Sequence, residues 1–167
     1  MPVFKTQSIA LTGLAGDLVT VEVDISDGLP SFTLLGLPDA SLNESRERVR
    51  TALSNIGKKL NNRRTTISLS PASLPKSGTG FDLAIAIGLL GSQGEINPEL
   101  LTGSVLLGEL GLDGSVKPIT GILAALIAAK KFQISRAIIP SLNFGEAKLL
   151  SGIEIIPTNS LSSAINY

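Results

Sequence analysis

Two apolar segments limit the folds that this chain of 167 residues can adopt. Phe81–Leu90 contains one charged residue, Asp82, and Ile122–Phe132 contains two, both lysines near its end. We interpret each segment as a helix buried inside a globular domain, because a helix that is apolar on all sides cannot face water. Both are far shorter than the roughly 20 residues of a membrane span, so no membrane partner is expected.

Strands are predicted before and between these helices. Val19, Val21, Val23 and Ile25 alternate with polar residues, the period of a half-buried strand. The same reasoning predicts a meander, antiparallel throughout, over 3–12, 18–26 and 31–37, followed by strands at 65–70, 104–107, 136–140 and 153–157. The later strands alternate with helices. We therefore expect one mixed α/β (α+β) domain over 1–167, with an antiparallel N-terminal meander and later βαβ units.

A polar helix is predicted between the third and fourth strands. Its apolar residues recur at helical spacing from Leu42 to Ile56, and Gly57 is placed to end it. Ser41 and Glu44 have the spacing of a capping box, and Asp39 is a competing cap. A second short helix is predicted over 144–150 and a last one over 161–166.

Missing residue types exclude whole classes of chemistry. The chain has no histidine and no cysteine, which removes Ser-His and Cys-His nucleophiles and nearly every zinc, iron-sulfur or haem site. Carboxylates, Ser-Lys or Thr pairs and carboxylate-held Mg²⁺ remain possible, and Glu109 with Asp113 is one acidic pair, for which we favour structural roles. The first residues lack the apolar core of a signal peptide, which favours a cytoplasmic location.

Basic residues are concentrated in one stretch of an otherwise neutral chain. Fourteen basic and fourteen acidic residues cancel, yet half of the basic ones lie in 46–64. Clustered cations suit salt-dependent contacts with phosphates, whereas the alternative is a solvated helix with cations near its C-terminus. No aromatic residue interrupts the stretch, which argues against base stacking. The candidate nucleic-acid contacts are Arg46, Arg50, Lys58, Lys59, Arg63 and Arg64.

The loop before the first apolar helix is a second candidate site. Its glycines could point backbone N–H groups at an anion or a neighbouring subunit, and the candidate contacts are Lys76, Ser77, Gly78 and Asp82. The alternative, which we favour, is a turn that lets a buried helix approach a sheet, with Asp82 as an N-terminal cap or a partner of the helix dipole. The spacing of a P-loop is absent, because the pair Gly57-Lys58 is followed by another lysine.

Several motifs together resemble known families. Pro75–Gly80 before an apolar helix, and Leu107–Gly121 before an alanine-rich one, are similar to the proteolytic domain of Lon. Gly28–Asp39, Glu44–Arg50 and Lys76–Leu83 are similar to the N-terminal domain of magnesium-chelatase-like AAA+ ATPases of the ComM/YifB type. This second resemblance covers essentially all 167 residues in order. It implies a fold like the C-terminal, proteolytic domain of Lon.

The Lon resemblance also suggests what this chain lacks. Lon proteases use a serine and a lysine, which align here with Gly80 and Leu123. Glycine offers no nucleophile and leucine cannot transfer a proton, so we expect no catalytic residues in this chain. The alternative is a residual hydrolase that uses Ser77 with Lys76.

The ComM/YifB resemblance implies a larger machine. Members carry an ATPase module after this region and form hexamers that process DNA in competence. We therefore expect a non-catalytic module for DNA contact and ring assembly, partnered by its own ATPase module and by copies of itself. ATP and Mg²⁺ would bind only in the ATPase module, so no cofactor or metal is expected in this chain. The alternative is a pure oligomerisation module.

Overall fold

The computed structural model describes residues 3–60 and 62–166 of the chain. Strands and helices share these residues in a mixed α/β arrangement, which confirms the expected fold class. In chain order the elements are β1 (Phe4–Thr12), β2 (Ala15–Ser26), β3 (Ser31–Leu35), α1 (Ala40–Asn43), α2 (Ser45–Asn55), β4 (Arg64–Ser70), α3 (Asp82–Ser92), β5 (Ser104–Leu106), β6 (Glu109–Leu110), β7 (Val116–Lys117), α4 (Ile122–Lys131), β8 (Arg136–Pro140), α5 (Phe144–Ala147), β9 (Glu154–Thr158) and α6 (Leu161–Ile165).

Two sheets organise these elements. The larger sheet has the order β1-β2-β4-β3, and the smaller one has the order β5-β8-β9 with all strands parallel. A short hairpin joins β6 and β7. The parallel order β5-β8-β9, with α4 and α5 between its strands, agrees with the predicted βαβ units.

Helix α3 lies in the core, as its composition predicts. Every residue from Asp82 to Gly91 is buried, and the helix packs on β1 and β2. Its glycines permit this close approach, because a Cβ atom at Gly91 would lie 2.2 Å from the ring of Phe4 and one at Gly88 would lie 2.9 Å from Val23. Helix α4 also packs on β1 and β2. None of the helices in the described chain combines the length and the apolar character needed to cross a membrane.

The prediction of a fully antiparallel meander is wrong for its third strand. β1, β2 and β4 are antiparallel neighbours, whereas β3 lies at the edge and runs parallel to β4, with Ser31 opposite Arg64. A tight turn joins antiparallel strands, but parallel strands need a crossover connection. Helices α1 and α2 form that connection, so β3 belongs with the strand that follows them.

The helix predicted between these strands is interrupted. It begins one residue earlier than Ser41 and divides at Glu44 into α1 and α2. The cap is Asp39, whose Oδ1 accepts a hydrogen bond from the backbone N–H of Leu42 at 2.8 Å. The helix predicted over 144–150 is also shorter, because α5 ends at Ala147.

Candidate nucleic-acid interface

A cleft of about 340 Å³ lies between α2, the start of β3 and the loop that precedes β4. Two of the candidate cations, Arg50 and Arg63, line it from opposite ends of the basic stretch. We call it the arginine cleft, and its lining residues are Pro30, Ser31, Phe32, Arg50, Leu60, Asn62, Arg63 and Thr65.

The packing of α2 explains why its arginines face this cleft. Val49, Ala52 and Leu53 are buried in the core, so Arg46 and Arg50 are left on the exposed side of the helix. Arg46 donates from NH1 to the backbone carbonyl of Phe32 at 3.2 Å, which ties α2 to the edge strand β3.

The parallel pairing of β3 and β4 forms the wall of the cleft that faces α2. Phe32 lies opposite Thr65, and Arg63 immediately precedes β4. Phe32 therefore meets Arg63 and Thr65, which follow it by more than thirty positions in the sequence, at the cleft. Phe32 was not among the sequence candidates, because it lies outside the basic stretch and reaches the cleft only through this parallel register.

Acidic neighbours neutralise part of the basic stretch. Arg63 donates from NH2 to Asp27 Oδ1 at 2.8 Å, and Lys58 Nζ lies 3.2 Å from Glu95 Oε2. Lys59 and Arg64 are exposed, and within 3–60 and 62–166 they form no ion pair. The structure thus brings Arg46, Arg50 and Arg63 together and directs Lys58 towards the C-terminal end of α3.

Arg48 has a different role from its neighbours on α2. Its Nε and NH2 atoms donate to Asp82 Oδ2 and Oδ1 at 2.7 and 3.0 Å, and the backbone N–H of Leu110 donates to Oδ2 at 3.1 Å. Burial raises the pKa of Asp82, and the hydrogen bonds from Arg48 and Leu110 oppose that rise. The hydrogen bond to Asp82 raises the pKa of Arg48 above its ordinary value.

Asp82 is therefore an internal ion-pair partner and not a surface contact. Its side chain is fully buried, so it is withdrawn from any anion or neighbouring subunit. Lys76, another candidate of the same loop, is also buried, and its Nζ donates to the backbone carbonyl of Pro71. Desolvation lowers the pKa of Lys76. Ser77 is exposed and Gly78 is half-buried.

The loop that precedes α3 borders a second cleft, of about 330 Å³, opposite the loop before α4. Its lining includes Ser77, Gly78 and Gly80. Leu123 is half-buried in the first turn of α4 and is not one of the described residues that line this cleft. No hydrogen bond joins Ser77 to Lys76 in the part of the chain that the structure describes. Thr79 Oγ1 instead donates to Glu109 Oε2 at 2.7 Å inside this cleft.

The acidic residues of the hairpin do not form a pair. Glu109 binds Thr79, while Asp113 Oδ1 accepts from the backbone N–H of Ser115 at 2.9 Å and so closes the turn between β6 and β7. Hydrogen bonds from the side chain of Ser115, and then from its backbone N–H, lower the pKa of Asp113. The described residues contain no group of three acidic, histidine or cysteine side chains that could hold a metal ion.

Comparison with known proteins identifies the family. The family described as subunit ChlI of Mg-chelatase matches residues 21–143, which include the arginine cleft, α3 and β6. The chain belongs to the ChlI family. The match begins within β2 and ends just after β8. It therefore omits β1, the first part of β2 and all of β9 from the two sheets.

Curated relatives agree with this assignment. The competence protein ComM of Haemophilus influenzae is 41% identical over 86% of this chain and 28% of its own length. The protein YifB of Escherichia coli is 38% identical over 86% of this chain and 28% of its own length. A Lon protease of Mycolicibacterium smegmatis is 26% identical over 94% of this chain and 21% of its own length. The chain spans less than a third of the length of these relatives.

Proposed function

We propose that this chain is a non-catalytic module of a ChlI-family protein and that it contacts nucleic-acid phosphates through the arginine cleft. The observation that carries the proposal is the meeting of Arg50 and Arg63 in one cleft, with Arg46 fixed beside it on Phe32. The molecule has no net charge, so this surface is a local concentration of cations and not part of a general basic character.

Arginines in this arrangement suit phosphate oxygens. A guanidinium group offers several N–H donors in one plane, and Arg50 forms no ion pair among the residues described. The ion pair of Arg63 with Asp27 is exposed and thus weak, with the Asp27 side chain 98% exposed, so a phosphate can replace that carboxylate. Lys59 and Arg64 extend the positive surface beyond the cleft, while Lys58 contributes less because Glu95 faces it.

A salt titration tests this proposal. Binding of a labelled 16-base-pair duplex is followed by fluorescence anisotropy between about 50 and 200 mM salt, for the chain and for the double variant Arg50→Gln/Arg63→Gln. Each lost phosphate contact reduces the slope of log K against log salt by about 0.9, so the double variant should lose nearly two units of slope.

A matched variant controls for net charge. Lys131→Gln/Lys148→Gln removes two exposed cations at the ends of α4 and α5, outside the cleft. It should leave both affinity and slope close to those of the unchanged chain. Equal losses in the two variants, or duplex binding that does not respond to salt, would contradict the proposal.

Subunit assembly is the second candidate function. Exposed apolar side chains on and near α5 favour it, since Leu142 is 80% exposed and Leu149 is 75% exposed, with Phe144 between them in sequence. Another copy of the chain in a ring would cover such side chains. Light scattering, which measures the molar mass of the particles in solution, tests this on the chain and on Leu142→Ser/Leu149→Ser. If the chain assembles through this surface, the variant should have a lower molar mass than the unchanged chain.

The wider machine belongs to the proposal as well. ComM carries the name of a competence protein, and on that basis we infer a role in DNA processing. The sequence contains no P-loop spacing, and no acidic cluster of three occurs among the described residues. We therefore assign ATP and Mg²⁺ binding, and the contacts of a hexameric ring, to the longer proteins of which this chain would be one module.

A further inference from the structure

We propose that the arginine cleft holds an unpaired nucleotide, with the base against the ring of Phe32 and the flanking phosphates on Arg50 and Arg63. This inference rests on the proposed function and narrows it, because it makes single-stranded nucleic acid the preferred ligand. The sequence alone argues against base stacking, since the basic stretch contains no aromatic residue. The structure supplies one from β3.

Phe32 is held in a fixed position for this role. It is partly buried and packs against the core cluster that contains α3, while its backbone carbonyl accepts the hydrogen bond from Arg46. Phe32 is also one of the residues that line the cleft, together with both arginines. An aromatic ring that is already ordered loses little conformational freedom when a base stacks on it.

The size and the polar walls of the cleft fit a nucleotide. Its volume of about 340 Å³ is within the roughly 300–1,000 Å³ of small-molecule sites. Ser31 and Asn62 supply a hydroxyl and an amide at the wall, which can donate to and accept from the edge of a base. Paired bases in a duplex are already stacked on their neighbours, so only an unpaired base presents its face to Phe32.

The contact with Asp27 shows where Arg63 can hold an anion. Its carboxylate lies 2.8 Å from NH2 of Arg63 and occupies one donor direction of that guanidinium. A phosphate oxygen has the same charge sign and accepts the same hydrogen bond. Ordered aromatic and cationic groups thus lie side by side, which is the combination that binds single strands without sequence preference.

Anisotropy titrations with three labelled probes test the inference. The probes are oligo-dT and oligo-rU of 12 nucleotides and a 12-base-pair DNA duplex, all at about 100 mM salt. We expect at least one single strand to bind about ten-fold more tightly than the duplex, and the two single strands show whether DNA or RNA is favoured. Phe32→Leu should weaken single-strand binding about five-fold or more and weaken duplex binding by a clearly smaller factor.

Phe132→Leu is the matched control, because Phe132 is an exposed phenylalanine at the end of α4, outside the cleft and the α5 surface. It should change neither binding constant. As a second measurement, the unchanged chain is crosslinked by ultraviolet light to a bromodeoxyuridine oligonucleotide, and mass spectrometry should find the modified peptide at 31–35. This arm does not depend on the folding of any variant.

The outcomes separate this inference from the proposed function. Salt-dependent binding with equal affinity for single strand and duplex, unaffected by Phe32→Leu, overturns the inference and leaves the phosphate contact standing. Crosslinking only outside the cleft overturns it in the same way. If neither single strand nor duplex binds, the proposed function fails and the inference fails with it.

Discussion

Arg48 and Asp82 form a two-point ion pair that joins the polar helix α2 to the buried helix α3. Nε and NH2 of Arg48 lie 2.7 and 3.0 Å from the two carboxylate oxygens, and the carboxylate also holds the backbone N–H of Leu110 in β6. One buried carboxylate therefore fixes three elements. Because α2 carries Arg46 and Arg50, this pair also sets the orientation of the arginine cleft.

Removing Arg48 should cost far more stability than removing its neighbour Arg46. Arg48→Ala leaves the Asp82 carboxylate buried without a cation, and we expect a loss of about 3–5 kcal/mol in the free energy of unfolding. Arg46→Ala removes one exposed hydrogen bond and should cost less than about 1 kcal/mol. Urea unfolding followed by circular dichroism measures both. Similar losses for the two variants would show that the ion pair does not hold the elements together.

The double variant Arg48→Met/Asp82→Leu separates pairing from burial. Apolar residues of similar volume in place of a buried ion pair are often neutral or stabilising, so this variant should recover most of the stability lost in Arg48→Ala. If the double variant is as unstable as Arg48→Ala, lost packing and not the uncompensated charge explains the loss.

The sequence predicts most elements of this fold but not how two of them pair. Alternation identified β1, β2 and β4, and apolar composition identified α3 and α4. The error at β3 arises because neighbouring strands pair in most folds, and the short turn after β2 fits that expectation. The α1-α2 connection was visible in the sequence, and it implies a parallel partner after the helix.

The sequence predicts the arginines of the candidate site but not its aromatic residue. Charge density identified Arg50 and Arg63, because both lie in one stretch, but Phe32 is contributed by a strand whose register the sequence does not specify. Asp82 had a usable signal, since a lone charge in a buried apolar helix requires a partner. The sequence offers several arginines for it, and only the packing of α2 on α3 selects Arg48.

Lys76 should make stability depend on alkaline pH. Burial lowers its pKa in the folded chain below the 10.5 of a free lysine, so the unfolded chain binds more protons between those two values. Below that window the charged Lys76 destabilises the folded chain. This cost falls as the pH rises through the window, so the stability of the folded chain rises and levels off above about 10.5. The difference in unfolding free energy between the unchanged chain and Lys76→Met should move in favour of the unchanged chain from pH 8 to pH 10.5.

Lys5→Met provides the control, since Lys5 is an exposed lysine on β1. Its difference from the unchanged chain should stay nearly constant over the same pH range. A constant difference for Lys76→Met as well would mean that the folded chain does not depress the pKa of Lys76.

We expect the purified chain to leave casein intact. Gly80 has no side chain. The amine of Lys76 is buried and donates its hydrogen bond to the carbonyl of Pro71, whereas Ser77 is exposed. A nucleophile needs a base in aligned contact, which this arrangement does not provide. Gel analysis of casein incubated with the chain and with Ser77→Ala measures the outcome. Cleavage by the chain that disappears in Ser77→Ala would restore the hydrolase alternative.

Asp27→Asn should strengthen the binding of nucleic acid. The exposed Asp27 carboxylate holds NH2 of Arg63 and repels an incoming phosphate, so its loss frees a donor and removes a like charge. Exposed pairs of this kind contribute about 0–1 kcal/mol, which corresponds to an affinity gain of up to about five-fold at 50 mM salt. The gain should shrink at 200 mM salt because the interaction is screened.

Asp17→Asn, which removes an exposed carboxylate at the other end of β2, changes net charge equally and should leave affinity unchanged. Equal gains in the two variants would attribute the effect to net charge, and no gain in either would mean that phosphate does not compete with Asp27 for Arg63.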